Sequence, residues 1–308
     1  MGINQNRKWL IICMAVLCAV SLSASIFLLI VKLDEPVFLK NYCEYMWVSS
    51  EENPSGFMEQ RFSIKYLSNP SDTRVVTSID FPDADDSRFS FYATEMVMNQ
   101  QFGTDFLLSD QNVQTPMVEH IGQYALHTVE IIAQYIHERE EKNHPELVLE
   151  NAVAHFSDGS SQEISLGEIR LCHGDWSSHN NWLSETFAMS DTSGVTKSEL
   201  QSNKTMSVVG LKWSPKVESE GLFKITLNGV DATSDEIIGM PIEEGQIFTV
   251  RTDFPEPEEL EDRFTEYRIN VLLTVQDDEG LQREIEVSFF SHRPIFEGTW
   301  DILRYVKQ

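Results

Sequence analysis

The sequence is short of cysteine and of basic residues, and it lacks every common signature that cradles a phosphate or a dinucleotide. Four cysteines in 308 residues do not make a disulfide framework. Cys13 and Cys18 sit inside an apolar run, which leaves Cys43 and Cys172 as the one pair able to bridge distant parts of the chain. There is no phosphate loop, no glycine-rich dinucleotide fingerprint, no G-x-S-x-G turn and no H-E-x-x-H helix. His137-Glu138 lacks the second histidine of that last pattern. These absences argue for a protein without catalysis and without a cofactor. Basic residues number 23 against 49 acidic ones, a net charge of −26. A surface this negative repels nucleic acid and anionic headgroups, and favours cations or basic protein partners.

What the sequence does have is one long uncharged run, Leu10 to Val31, with no Pro and no Gly. Twenty-two helical residues at about 1.5 Å each cover the roughly 30 Å of a hydrocarbon core. Thirteen of them are Leu, Ile, Val or Phe, which favours insertion. The rival reading is a cleaved signal peptide, with Arg7 and Lys8 as its basic start and Ser21 to Ser25 as its cleavage region. Against it, Ile26 to Val31 continue the apolar run and would become a greasy new terminus. Arg7 and Lys8 precede the run with no acid beside them, so the N-terminus is expected on the cytoplasmic side. Beyond Lys32, 20 basic residues face 49 acidic ones, a balance of −29 outside the membrane. Ala15, Ala19 and Ser23 recur every four residues and would suit close helix packing or simple lipid contact.

The remainder reads as strands. Phe62, Ile64 and Tyr66 alternate, as do Phe89, Phe91 and Ala93. Residues 121–136 fit a helical face and a strand face equally, and their β-branched and aromatic content favours strand. Leu147 to Phe156 and Gln162 to Leu171 flank Ser157-Asp158-Gly159-Ser160, a strong hairpin cue. Ser190 to Lys204 is rich in Ser, Thr and other polar residues and reads as a linker or long loop. After it, runs near 206–213, 222–227, 246–252, 266–275 and 283–290 read as strands, with Thr299 to Val306 as a closing one.

The expected architecture is mainly β. A cytoplasmic tail, 1–8, and a single N-terminal transmembrane helix, 9–33, precede two β-sandwich-like domains. The first covers 34–185, a linker or long loop follows at 186–205, and an immunoglobulin-like sandwich covers 206–308. The candidate metal ligands are Cys172, His173, Asp175 and His179, donor types close together on a glycine-containing stretch, with a divalent cation as the implied ligand. Their spacing matches no established zinc pattern, and a polar loop packed by Trp176 and Trp182 explains it as well. The acidic runs 83–86 and 256–262 lack the spacing of a helix–loop–helix calcium site. Trp47, Trp176, Trp182 and Trp300 are candidates for sugar stacking, against plain core packing. The functional expectation is a single-pass, membrane-anchored, extracytoplasmic protein of a cell envelope. It would reach the membrane through residues 10–31, bind a protein partner in membrane or envelope, and avoid nucleic acid. The alternative is an ectodomain that senses a glycan or metal and acts through a membrane partner.

Overall fold

A computed structural model describes residues 3–48, 57–84, 87–95, 97–98, 115–116, 118–136, 146–174, 182–190, 194–213, 223–254 and 263–307. Helix α1 (Ile3–Val31) leads into β1 (Val37–Phe38), β2 (Asn41–Val48), β3 (Phe57–Ser68), β4 (Val76–Asp80), β5 (Phe89–Glu95) and β6 (Val97–Met98). Then come β7 (Thr115–Pro116), β8 (Val118–Ile121), β9 (Tyr124–Ile136), β10 (Leu147–Phe156) and β11 (Ser161–Gly174). The later strands are β12 (Leu183–Ser190), β13 (Val195–Ser202), β14 (Met206–Lys212), β15 (Lys224–Leu227), β16 (Val230–Asp231), β17 (Pro241–Ile242), β18 (Ile247–Asp253), β19 (Glu266–Asp277) and β20 (Gln282–His292), before helix α2 (Thr299–Val306).

One eight-stranded sheet runs through the whole body, in the order β17-β14-β19-β2-β11-β10-β4, with β20 also paired to β19. A second sheet, β1-β3-β9-β5 with β8, covers one half of it. A third, β12-β13-β18-β15-β16, covers the other half. Each pairing encloses its own core. Trp47, Ile64, Tyr66, Val129, Ile131 and Leu171 pack in the first. Leu183, Phe248, Val250, Val271, Leu273 and Val275 pack in the second. A fully buried side chain of this size contributes about 1.5–3 kcal/mol.

The two sandwiches share a sheet because β2 is a buried parallel strand. It pairs β11 over eight residues, from Asn41↔Gly167 to Val48↔Gly174. On its other edge it pairs β19 over three, Asn41↔Glu266 to Cys43↔Arg268. β20 occupies one edge of β19 along 267–276, so β2 and β14 divide the other edge, at 266–268 and 272–277. Between them Asn270 N–H donates to the Glu44 carboxylate at 3.3 Å, and Asn270 Nδ2 donates to Glu44 O at 3.4 Å. The side chain thus supplies the acceptor that a third strand would otherwise give.

Several sequence expectations are met. Residues 124–136 are strand, with burial alternating along β9. The Asp158-Gly159 hairpin joins β10 to β11, with Gly159 at φ 85°. Others need correction. Residues 195–202, expected within a linker, form the interior strand β13, paired on both sides. Its buried positions are Thr196, Ser198, Leu200 and Ser202, so the alternation is present but carried by small polar residues. The central sheet also crosses the expected boundary between the two domains. Thr299–Val306 is a helix, with Ile302, Leu303 and Tyr305 turned inward. Trp47 and Trp182 are buried, which removes both as sugar platforms; Trp176 lies outside the described residues. Cys43 and Cys172 are free thiols, their strands placing Cys43 opposite Ile169 and Cys172 opposite Met46.

The base of the body is closed by a separate cluster. Val31 and Leu33, leaving α1, pack with Leu67, Tyr124, Phe264, Phe296, Ile302 and Leu303. Asn69 clamps the exit, donating to Leu33 O at 2.6 Å and accepting from Leu33 N at 3.0 Å. Tyr305 ties α2 to the start of β2, donating to Phe38 O at 3.3 Å and accepting from Lys40 N at 3.0 Å. Among the described residues no helix is long and apolar enough to cross a membrane. Within the apolar run of α1 the side chains of Ile11, Ala24, Ile26, Leu28 and Leu29 fall outside that set, so the longest unbroken described run is 12–23.

Gly167 tests the seam. Its φ is +84°, and a Cβ there would lie 2.3 Å from Asn41 O. Gly159 has a similar φ, +85°, but open space around it. Gly159→Ala should cost about 1–2 kcal/mol, the left-handed penalty alone. Gly167→Ala should cost at least about 2 kcal/mol more, because backbone must move as well. Urea unfolding of the two variants side by side measures the difference; equal losses would mean β2 and β11 are not in close register.

Candidate functional site

The division of β19 between two partners leaves a cleft where the sandwiches meet. It holds about 500 Å³ and is lined by Met46 from β2, Gln60 from β3, β12, β13, and the facing ends of β19 and β20. Its polar wall consists of Thr196, Ser198, Ser288, Asn270, Arg268 and Glu286. The strand alternation that buries these residues also points them into the space between the sheets. Ser198 and Ser288 hydroxyls approach each other at 3.4 Å, and the buried Thr196 hydroxyl has no hydrogen-bond partner among the described residues. A smaller hollow of about 240 Å³ adjoins it and shares Arg268 and Ser291. The Arg268 guanidinium lies over the Tyr45 ring at 5.1 Å, between the two.

The electrostatics centre on Glu286. Burial pushes its carboxyl above the usual range; Arg268 opposes the shift and Glu185 adds to it. An acid held in this way readily accepts a proton or a hydrogen-bond donor. With hydroxyls and an amide around it, the cleft fits a polar group carrying N–H or O–H donors. Its described lining contains no thiol and no imidazole.

A serine–base arrangement does exist elsewhere, and sequence reasoning missed it. Ser68 Oγ lies 2.9 Å from His127 Nε2, and His127 Nδ1 lies 2.6 Å from Glu95 Oε1. Tyr66 donates to the same Glu95 oxygen at 3.0 Å and stacks on the His127 ring at 4.4 Å. Val76 N–H donates to the other oxygen at 3.1 Å. The distances resemble those of an acyl-transfer triad. Access does not: Ser68 is 2% exposed, His127 5% and Glu95 6%. A nucleophile must meet a carbonyl carbon, and this hydroxyl meets only its own core. The group is a buried polar network joining β3, β5, β9 and the start of β4. Its members come from three strands 29 to 59 residues apart, so no local motif could announce it.

The candidate metal ligands divide. Cys172 and His173 stand at the end of β11, in register with Met46 and Trp47. Asp175 and His179 lie outside the described residues. Burial pushes the Cys172 thiol up to about 12, with Glu146 and Glu44 adding to it. Among the described residues no three His, Cys, Asp or Glu side chains converge as a metal would require. Of the acidic runs, Asp83 is engaged by its own chain, its Oδ2 accepting from Glu150 N and Asn151 N at 3.0 Å each. Asp85, Asp86 and residues 256–262 lie outside the described set.

No family model and no curated protein matches the chain. Among solved structures it is similar to a protein of unknown function from Porphyromonas gingivalis W83, at 10% identity and a TM-score of 0.24, covering 82% of this chain and 97% of that one. It is also similar to the major pilin subunit of Bacillus cereus, at 12% identity and a TM-score of 0.23, covering 85% and 67%. Superpositions this loose carry no argument about function.

Glu286 has a raised value in the fold, so its contribution to stability is full below the ordinary carboxylate value and is lost as pH rises through the folded one. Glu286→Gln should therefore raise the melting temperature at pH 7 and flatten the decline above pH 4–5; an unchanged profile would remove Glu286 from the buried wall. For the triad-like network, His127→Ala should cost about 2–4 kcal/mol, because it opens a cavity beside Tyr66 and removes one buried partner each from Ser68 and Glu95. A serine-directed fluorophosphonate should leave Ser68 unlabelled in the native chain, and labelling there would show that the hydroxyl is reachable.

Proposed function

We propose that the chain is a single-pass membrane protein of a cell envelope. Its N-terminus lies on the cytoplasmic side, and its β body lies outside and binds a partner without catalysis. The observation that carries this reading is the surface of α1. Leu10, Ile12, Met14, Val16, Leu17, Val20 and Leu22 are each between 51% and 65% exposed, on all sides of the helix. No described residue of the body covers them, and water is a poor solvent for such a cylinder. At its far end Val31 and Leu33 are buried in the base of the body. The apolar run therefore continues into folded structure, which favours an anchor over a cleaved leader.

Three features support binding as the activity. The cleft offers a polar interior suited to a ligand or an inserted side chain. Its mouth is flanked by β12, an edge strand of its sheet, where Phe187 is 45% and Met189 41% exposed. A strand edge that is unpaired among the described residues and carries apolar side chains is a surface on which a partner strand adds. The serine–histidine–glutamate arrangement is sealed from substrate. The second sandwich is read as immunoglobulin-like on its short antiparallel strands; it lacks the Cys–Trp–Cys core of antibody domains. A sensing role through a membrane partner is the second reading. It is favoured by the Asn69 clamp on Leu33, which joins the body to the end of the helix by two hydrogen bonds.

Protease added to sealed cells should digest residues 34–308, and alkaline carbonate should leave the chain in the membrane. Protection that vanishes only when the bilayer is opened would reverse the topology. For binding, Met189→Arg at the cleft mouth should abolish the partner species captured by crosslinking in native membranes. Capture that is indifferent to the substitution would place the interface elsewhere.

A further inference from the structure

We propose that the base of the β body rests on the lipid surface, with Trp300 and Ile295 inserted in the headgroup layer and Arg304 and Lys307 on lipid phosphates. The proposal rests on the single-pass reading and goes beyond it. A tether requires only a flexible exit from the bilayer, whereas this structure ties the exit to the body through Val31, Leu33 and Asn69 and sets α2 beside the helix.

The height of that face follows from one contact. The Trp300 ring lies 5.9 Å from the ring of Phe27, at 62°. Phe27 is four residues before Val31, about 6 Å back along the helix, inside the uncharged run. Any bilayer that encloses Phe27 therefore reaches Trp300. Tryptophan, with an apolar body and one N–H, is the side chain best suited to that layer.

The composition of the face agrees. Trp300, Arg304 and Lys307 are spaced four and three apart, which places them on one side of α2 and its last turn. Ile302, Leu303 and Tyr305 occupy the opposite side and are buried in the base. Trp300 is 64% exposed, Ile295 is 67% exposed, and the Arg304 side chain is 62% exposed. A helix with one face packed inward and the other carrying Trp300, Arg304 and Lys307, with Asp301 beside Arg304 at 3.9 Å, is the pattern of an interfacial element. Residues 293–307 carry three basic and two acidic side chains in a chain whose net charge is −26. The part nearest the bilayer thus escapes the repulsion that the rest of the body would meet. The opposite end of α2 is held by Thr299, whose hydroxyl accepts from Gln123 N at 3.2 Å, and by the close approach of Gly122.

The test uses the full chain reconstituted in phosphatidylcholine–phosphatidylglycerol vesicles containing lipids brominated near the glycerol backbone. Subtracting the fluorescence of Trp300→Phe from that of the parent isolates the Trp300 emission. That emission should be blue-shifted and quenched more than two-fold by the shallow bromines. An Arg304→Glu, Lys307→Glu double variant should reduce the quenching by at least half. A solvent-like, unquenched Trp300 in a chain that resists carbonate extraction would overturn the proposal and leave the anchor standing. A blue-shifted but unquenched Trp300 would mean that protein covers the face, which also overturns it. Release by carbonate would bring down the anchor reading and this proposal together.

Discussion

The structure depends on one strand, β2, that pairs on both edges at its start and packs on both faces. β2 is parallel to β11 on one side and to β19 on the other, with Tyr42, Cys43, Tyr45 and Trp47 packed above and below it. Parallel pairing requires both edges to be supplied by distant segments, since no tight turn can join parallel neighbours. β11 comes from the first half of the chain and β19 from the second. Residues at the start of the body are therefore held in place by residues 167–174 and 266–268. Lys65 and Glu266, an ion pair at 2.8 Å with side chains 15% and 9% exposed, close the same seam from the neighbouring sheet. A pair this well covered contributes more to fixing the arrangement than to stability, since desolvation offsets much of its attraction.

The short length of that seam shapes the surface. With only three residues of β19 given to β2, the strands part, and Glu44 fills the missing ladder position. The sandwiches then meet over a cleft with a partly polar lining. Polar residues sit there facing open space. Thr196, Ser198, Ser288 and Asn270 would be costly in a dry interior. The same chain keeps its other buried polar set, Ser68, His127 and Glu95, fully satisfied and sealed. One set is paired within the fold and the other faces a void, and that difference separates the structural group from the candidate binding site.

Much of this is legible in the residues. The β class, the hairpin at Asp158-Gly159 and the strands between 206 and 292 follow from alternation and turn chemistry, which act over a few residues. β13 escapes a sequence reading because its inward positions are Thr196, Ser198 and Ser202; hydropathy periodicity marks a buried face only when that face is apolar. α2 escapes it because Thr299, Trp300 and Tyr305 favour strand locally, whereas the base offers a groove that takes Ile302, Leu303 and Tyr305 from a helix. Glu286, Arg268 and Asn270 give no signal as a site, being single polar residues on separate strands. The alternation of hydroxyls in β13 is the one clue available.

The sequence by itself determined the uncharged helix at the front, the sign of the charge and the pleated character of the rest. Each is a sum over local composition, and composition is independent of which segments become neighbours. Tertiary structure alone decided that the two halves share a sheet, that a cleft opens between them and that Trp300 stands beside Phe27. Those facts depend on the register between strands more than 200 residues apart, and register is set only when both partners bury their faces against the same core.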